Sequence, residues 1–146
     1  VLAIASAWRC TVDNEIYDPC LVGEDGETVV CGNAPVASAT GFRVALTRPL
    51  PEVAVATKMA SPLWQLRLDD GASCTLLRGL TLELEGQAVT HVCSDSQVLL
   101  GEIDRSGEPW TVEKATVLND GQGNYSVESS QRVGVLSAWQ PVAPDQ

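Results

Sequence analysis

Apolar positions in this chain recur with a period of two over short runs, and turn residues punctuate the runs. Phe42, Val44 and Leu46 alternate with Arg43, Ala45 and Thr47 until Pro49 and Pro51, which cannot donate to a sheet ladder and so stop the strand. Trp64, Leu66 and Leu68 alternate with Gln65 and Arg67 up to Asp70-Gly71, a dipeptide suited to a type I′ turn that leads into a strand over 72–77. Leu80, Leu82 and Leu84 alternate with Thr81, Glu83 and Glu85, and Glu85-Gly86-Gln87 turns the chain into a strand over 88–93. A turn at 94–96, a strand over 97–103 and a turn at Arg105-Ser106-Gly107 lead to a further strand beginning near Trp110. A polar, glycine-rich tip follows at 119–124, then a last strand over about 132–139 and a short tail, 141–146, holding Pro141 and Pro144. The apolar opening, 1–8, reads as the first strand. No run carries the 3.6-residue period of an amphipathic helix. The pattern predicts an all-β domain, an antiparallel meander closing into a β-sandwich or a small β-barrel.

Length and composition narrow the class. A chain of 146 residues, 45% hydrophobic and 19% charged, is expected to form one domain with a core of its own rather than a disordered acidic tail. Nine Lys plus Arg against nineteen Asp plus Glu leave a net charge of −10. Phosphate binding rests on clustered cations, so no nucleic-acid partner is expected. No stretch approaches the ~18 apolar residues of a spanning helix, so no membrane insertion is expected either. The chain begins at Val1 without an initiator Met, as a processed secreted protein would.

The five cysteines, Cys10, Cys20, Cys31, Cys74 and Cys93, are separated by ten, eleven, forty-three and nineteen positions. None forms a C-x-x-C pair, which argues against structural zinc and for disulfides in an oxidising, extracellular compartment. Cys74 follows the Asp70-Gly71 turn and Cys93 ends the second strand after it, so the two are expected side by side and bonded. Cys20 and Cys31 flank the tip at 23–26 and would close a hairpin with Cys10 free, or Cys10 takes either of them. An odd count leaves at least one thiol unpaired or joined to another chain.

The run Trp8-Arg9-Cys10, Ile16-Tyr17-Asp18-Pro19-Cys20 and Cys31, followed by Trp64-Gln65-Leu66, Asp70-Gly71, Cys74, Cys93 and Pro109-Trp110-Thr111-Val112, covers most of the chain. It resembles a group of uncharacterised secreted or surface proteins of actinobacteria and related bacteria. The resemblance implies export and a disulfide-held β domain, and brings no established activity with it.

Candidate chemistry is sparse. His91 is the only histidine, so Ser-His-Asp or Cys-His catalysis would have to use it. It lies two residues before Cys93 on the strand face of Val89, with neither a nucleophile elbow nor an H-G-C run in the chain, and reads as a packed, hydrogen-bonded strand histidine. Glu83 and Glu85 read as a solvated strand face and Asp69-Asp70 as turn chemistry. The tip at 119–124 is rich in oxygen ligands, but the calcium-loop spacing and its terminal Glu are not met. It reads as a hairpin tip, and neither a metal nor another cofactor is expected. Trp64 and Trp110 are expected in the core, while Trp8, Tyr17, Tyr125 and Trp139 lie near strand ends or loops.

Two functional classes follow. The first is a non-catalytic extracellular or cell-surface module or assembly subunit, which contacts a protein partner, its own copies or a wall polymer. The second is a secreted hydrolase or protease inhibitor acting through a loop, for which 23–28 between Cys20 and Cys31 is the candidate. The first is favoured by the apolar strands at both ends of the chain, Leu2, Ile4 and Trp8 at the start and Val133, Val135 and Trp139 at the finish. Leu2, Ile4, Trp8, Tyr17 and Trp139 are the expected interface residues. The opening strand is either paired in its own domain or completed by another subunit, because a bare edge strand invites pairing.

Overall fold

The computed structural model describes residues 3–23, 25–32, 41–51 and 63–141. Among them are eleven strands, β1 Ala3–Val12, β2 Glu15–Val22, β3 Thr28–Gly32, β4 Gly41–Ala45, β5 Gln65–Leu68, β6 Ser73–Leu76, β7 Glu83–Leu84, β8 Gln87–Cys93, β9 Val98–Asp104, β10 Trp110–Asn119 and β11 Tyr125–Pro141. Strands β5, β6, β8, β9, β10 and β11 pair in that order, and β11 pairs back to β5, so six strands close into a barrel. The expected all-β, disulfide-held fold is thus realised as the small barrel, with β1 to β4 continuing outward from β11 as a second sheet.

Turn chemistry sets the hairpins. Asp13-Asn14 (φ 50° and 68°) and Glu85-Gly86 (φ 51° and 78°) place both central residues in the left-handed region, the type I′ form that matches strand twist. The Asp70-Gly71 turn departs from that expectation. Only Gly71 is left-handed, at φ 90°; its N–H donates to the Leu68 carbonyl, and the Leu68 N–H to the Ala72 carbonyl. Three residues turn the chain there instead of two.

Three other expectations are corrected. The sheet is not antiparallel throughout, since Ala3 to Ala7 run parallel to Ser137 to Pro141. Val135 pairs with both Trp110 and Leu68, and Trp139 with both Ala5 and Gln65. Strands β10 and β1 therefore lie end to end along one edge of β11, with β5 on the other. The final strand is also much longer than 132–139, because β11 begins at Tyr125 and supports the whole of β10. From the Leu80 to Glu85 alternation, only Glu83 and Leu84 form a strand.

Bulges decide which side chains face the barrel. Between Val89 and His91 the register slips against β9, so that Val89 opposes Leu100 and His91 opposes Leu99. Val89 and Leu100 pack in an outer cluster with Leu84 and Ala115, whereas Leu99 belongs to the barrel core with Leu66, Leu68, Cys74, Cys93, Trp110, Val112 and Val135. His91 and Val89 consequently do not share a face, contrary to the simple alternation. A second bulge between Val135 and Ser137 does the same on β11: Val133 and Val135 are buried before it, Ala138 and Gln140 after it, and Trp139 is left half-buried. Trp64 and Trp110 are core residues as expected, 9% and 7% exposed.

Candidate functional site

The second sheet carries its own small apolar cluster. Cys20, Val29 and Cys31 are fully buried, with Trp8, Cys10, Tyr17, Phe42, Val44, Leu46 and Leu50 packed around them. Strands β2 and β3 place Cys20 opposite Cys31, and the two are bonded with a Cα–Cα distance of 4.2 Å. This selects the hairpin-closing alternative and leaves Cys10 a free, half-buried thiol. The Sγ atoms of Cys10, Cys20 and Cys31 all lie within 4.8 Å of one another. Burial raises the Cys10 thiol above its ordinary pKa, because the thiolate is the form that loses hydration.

Tyr17 meets the Phe42 ring edge-on at a centroid distance of 4.6 Å and donates its O–H to the Glu15 carboxylate. That hydrogen bond holds the phenol above its ordinary pKa. Of the five expected interface residues, Trp8 and Tyr17 are brought together here. Trp139 sits elsewhere, between β5 and β1. Ile4 opposes Ala138 in the parallel ladder, and Leu2 lies outside the described residues. The same sheet also bears Ile16, Val22 and Val30, which are 65%, 46% and 38% exposed.

One end of the barrel holds a group that the sequence reading missed. Lys114 on β10 opposes Leu99 and is only 2% exposed. Its Nζ donates to Asp70 on the β5–β6 turn and to Asp95 on the β8–β9 turn, both at 2.5 Å. Burial alone would depress the lysine, yet the hydrogen bonds and charges of the two carboxylates overcome it and raise its pKa. Burial likewise works against the Asp70 carboxylate, but the Lys114 hydrogen bond and the Ala72 N–H lower its pKa. The sequence signal was the order Trp110, Val112, Lys114 on one strand face. Reading Asp70 only as a turn residue hid its second role.

Toward the other end a cavity of about 380 Å³ is lined by residues that include Leu63, Leu76, Ile103, Thr90, His91, Glu102 and Arg105. His91 Nε2 lies 3.0 Å from the Leu63 carbonyl oxygen, and Nδ1 lies 3.0 Å from the Thr90 hydroxyl. A carbonyl can only accept, so Nε2 carries the proton and Nδ1 is left as the acceptor. Burial pushes the imidazole down to about 4, with the Leu63 hydrogen bond opposing that shift. Both ring nitrogens are committed to the fold, as expected of a packed strand histidine.

The remaining candidates are occupied locally. Glu83 is exposed on β7, while Glu85 sits in the turn that follows, so the two do not share a strand face. At the 119–124 tip, Asp120 Oδ1 accepts the Gln122 N–H at 2.7 Å and Oδ2 the Asn124 side-chain amide at 2.7 Å. In the loop between Cys20 and Cys31, Asp25 accepts the Glu27 and Thr28 N–H groups at 3.0 and 2.9 Å. Both carboxylates are held below their ordinary range, Asp120 first by the Asn124 hydrogen bond and Asp25 first by the Thr28 hydroxyl. Comparison with known proteins found no matching family model, no similar curated protein and no similar solved structure.

Proposed function

We propose that the chain is a non-catalytic module of an extracellular or cell-surface setting, which works by contacting a protein partner, further copies of itself or a wall polymer. The observation that carries this reading is the second sheet. Its apolar cluster of Trp8, Tyr17, Phe42 and Val44 is separate from the barrel core and only partly buried, and Ile16, Val22 and Val30 of the same sheet are exposed. Exposed apolar side chains gathered on one sheet favour an interaction face, and the partly buried Trp8 and Tyr17 beside them add contact area with few rotatable bonds to fix. Two disulfides fit an oxidising compartment, where thiol pairs persist.

Sedimentation velocity across a concentration series, with and without isolated cell-wall polymer, tests the reading on the intact chain. Self-association or polymer binding that is lost in Trp8→Ser or Ile16→Ser, with the circular dichroism unchanged, supports it. A monomer that binds nothing and hydrolyses a test substrate overturns it.

A further inference from the structure

We propose that Cys10, Cys20 and Cys31 form a thiol–disulfide exchange relay within the second sheet. The Cys10 thiolate attacks the Cys20 Sγ, the Cys10–Cys20 bond forms as Cys20–Cys31 breaks, and Cys31 leaves as a thiolate that takes up the proton Cys10 released. The step is an isomerisation, so electrons balance without an outside oxidant or reductant. Its geometric basis is the convergence of all three Sγ atoms within 4.8 Å, which brings a thiol beside a disulfide that it can attack. The other disulfide, Cys74–Cys93, has no third sulfur near it among the described residues.

Strand order selects the product. Neighbouring strands are about 4.8 Å apart, and a disulfide spans Cα atoms about 4.4–6.8 Å apart. Cys10 is on β1, Cys20 on the adjacent β2, and Cys31 one strand further away. A Cys10–Cys31 bond would have to reach across β2, so Cys20 is the sulfur that changes partner. Trp8, not Cys10, opposes Cys20, and the ladder slips between Trp8 and Cys10. Cys10 therefore approaches Cys20 diagonally, at roughly 7–8 Å between Cα atoms in a regular sheet. Forming the new bond draws β1 along β2, whereas Cys20 and Cys31 are in direct register. The Cys20–Cys31 isomer remains the major form for that reason.

Exchange changes which thiol is accessible. Cys10 is half-buried, while Cys31 is fully buried beside Phe42, so the relay moves the free thiol from a partly accessible position to a fully buried one. The groups placed around Cys10 are Trp8 on its own strand, Tyr17 opposite it with the Glu15 carboxylate, and Phe42 from β4. Burial raises the thiol, so its thiolate fraction climbs about tenfold per pH unit across the neutral range.

The purified oxidised protein is held at pH 7.5 or 8.5, quenched with acid, alkylated under denaturing conditions and mapped by mass spectrometry without reduction. The expected result is a minor population with Cys31 alkylated and a Cys10–Cys20 peptide present. It should appear about tenfold faster at the higher pH, at a rate independent of protein concentration, and be absent from Cys10→Ser. The oxidised Cys31→Ser variant should contain no free thiol. Alkylation confined to Cys10 at both pH values, or a rate that scales with protein concentration, overturns the relay. Two persistent free thiols in a folded Cys31→Ser variant overturn it as well, and the wild-type mapping decides the matter alone if that variant does not fold.

Discussion

His91 and Lys114 are the two residues that this barrel treats most unlike their water-exposed counterparts. Neutral His91 is folded in at a pKa of about 4, whereas the unfolded chain titrates near 6.5. The unfolded state therefore binds the extra proton between those values, and stability falls as pH drops through that window. The loss should reach about 3 kcal/mol by pH 4, read from urea unfolding at pH 7, 5.5 and 4. His91→Phe should be less stable at pH 7, because the Leu63 carbonyl loses its donor, and nearly flat from 6.5 to 4. Asp70 acts lower down: its folded pKa lies below the ordinary value, so its contribution is complete above about pH 4 and disappears beneath it. Lys114, raised by its carboxylates, contributes fully below the ordinary lysine pKa and loses that contribution only at strongly alkaline pH.

The Lys114 cluster is asymmetric in a way that mutation can expose. Its lysine side chain is 1% exposed, its partners Asp70 and Asp95 28% and 42%. Lys114→Met leaves two carboxylates that can still reach water, and should cost only about 1–2 kcal/mol. Asp70→Asn with Asp95→Asn strands a buried ammonium and should cost about 3–5 kcal/mol. Chemical denaturation of both variants at pH 7 checks the order, and a larger loss for Lys114→Met would contradict the geometry. Local patterning could show that a lysine followed Trp110 and Val112 inward. It could not show the two acids meeting it, because each arrives on a turn from a different part of the chain.

At the scale of elements, local chemistry was most informative where a strand is bounded by its own turns. The Cys74–Cys93 bridge was legible because a hairpin and a return strand set its partners opposite each other. Replacing both by Ala should cost about 3 kcal/mol, the loop-closure value for the nineteen-position separation, measured as a lower denaturation midpoint. Gly71 is a sharper test of the revised turn. At φ 90° it occupies a conformation that costs an L side chain about 1–2 kcal/mol, so Gly71→Ala should lose about that much by calorimetry while Asp70→Gly should not gain it back. Bulges were the least legible elements. Nothing in the residues 89–91 or 135–137 announces an extra residue, and each slip turns the following side chains to the opposite face. That is why Val89 was grouped with His91, and Trp139 with Val135.

Across the whole molecule, the apolar first strand has its partner inside the chain. Ala3 to Ala7 occupy the stretch of β11 edge that β10 leaves uncovered. Deleting residues 1–6 should uncover the backbone groups of Ser137 to Gln140 and produce a less stable chain that associates through that edge, detectable as a lower melting temperature and larger species by sedimentation. A truncated chain as stable and as monomeric as the intact one would show that this ladder contributes nothing. The parallel pairing had no local signature, since both strands read as ordinary apolar alternation and 134 positions separate Ala3 from Ser137.

That separation also fixes an order of events in time. During synthesis or passage through a membrane from the N-terminus, β1 emerges first and β11 last, so the residues from Ala3 to Ala7 wait for almost the entire chain before their ladder can form. The β5–β6 hairpin can form as it appears, whereas barrel closure depends on β11 for the same reason as the first strand. Contacts of such long range make folding slow, on the order of milliseconds to seconds for β topologies. For that interval the uncharged stretch from Ala3 to Ala7 is without its ladder and is exposed to other nascent copies.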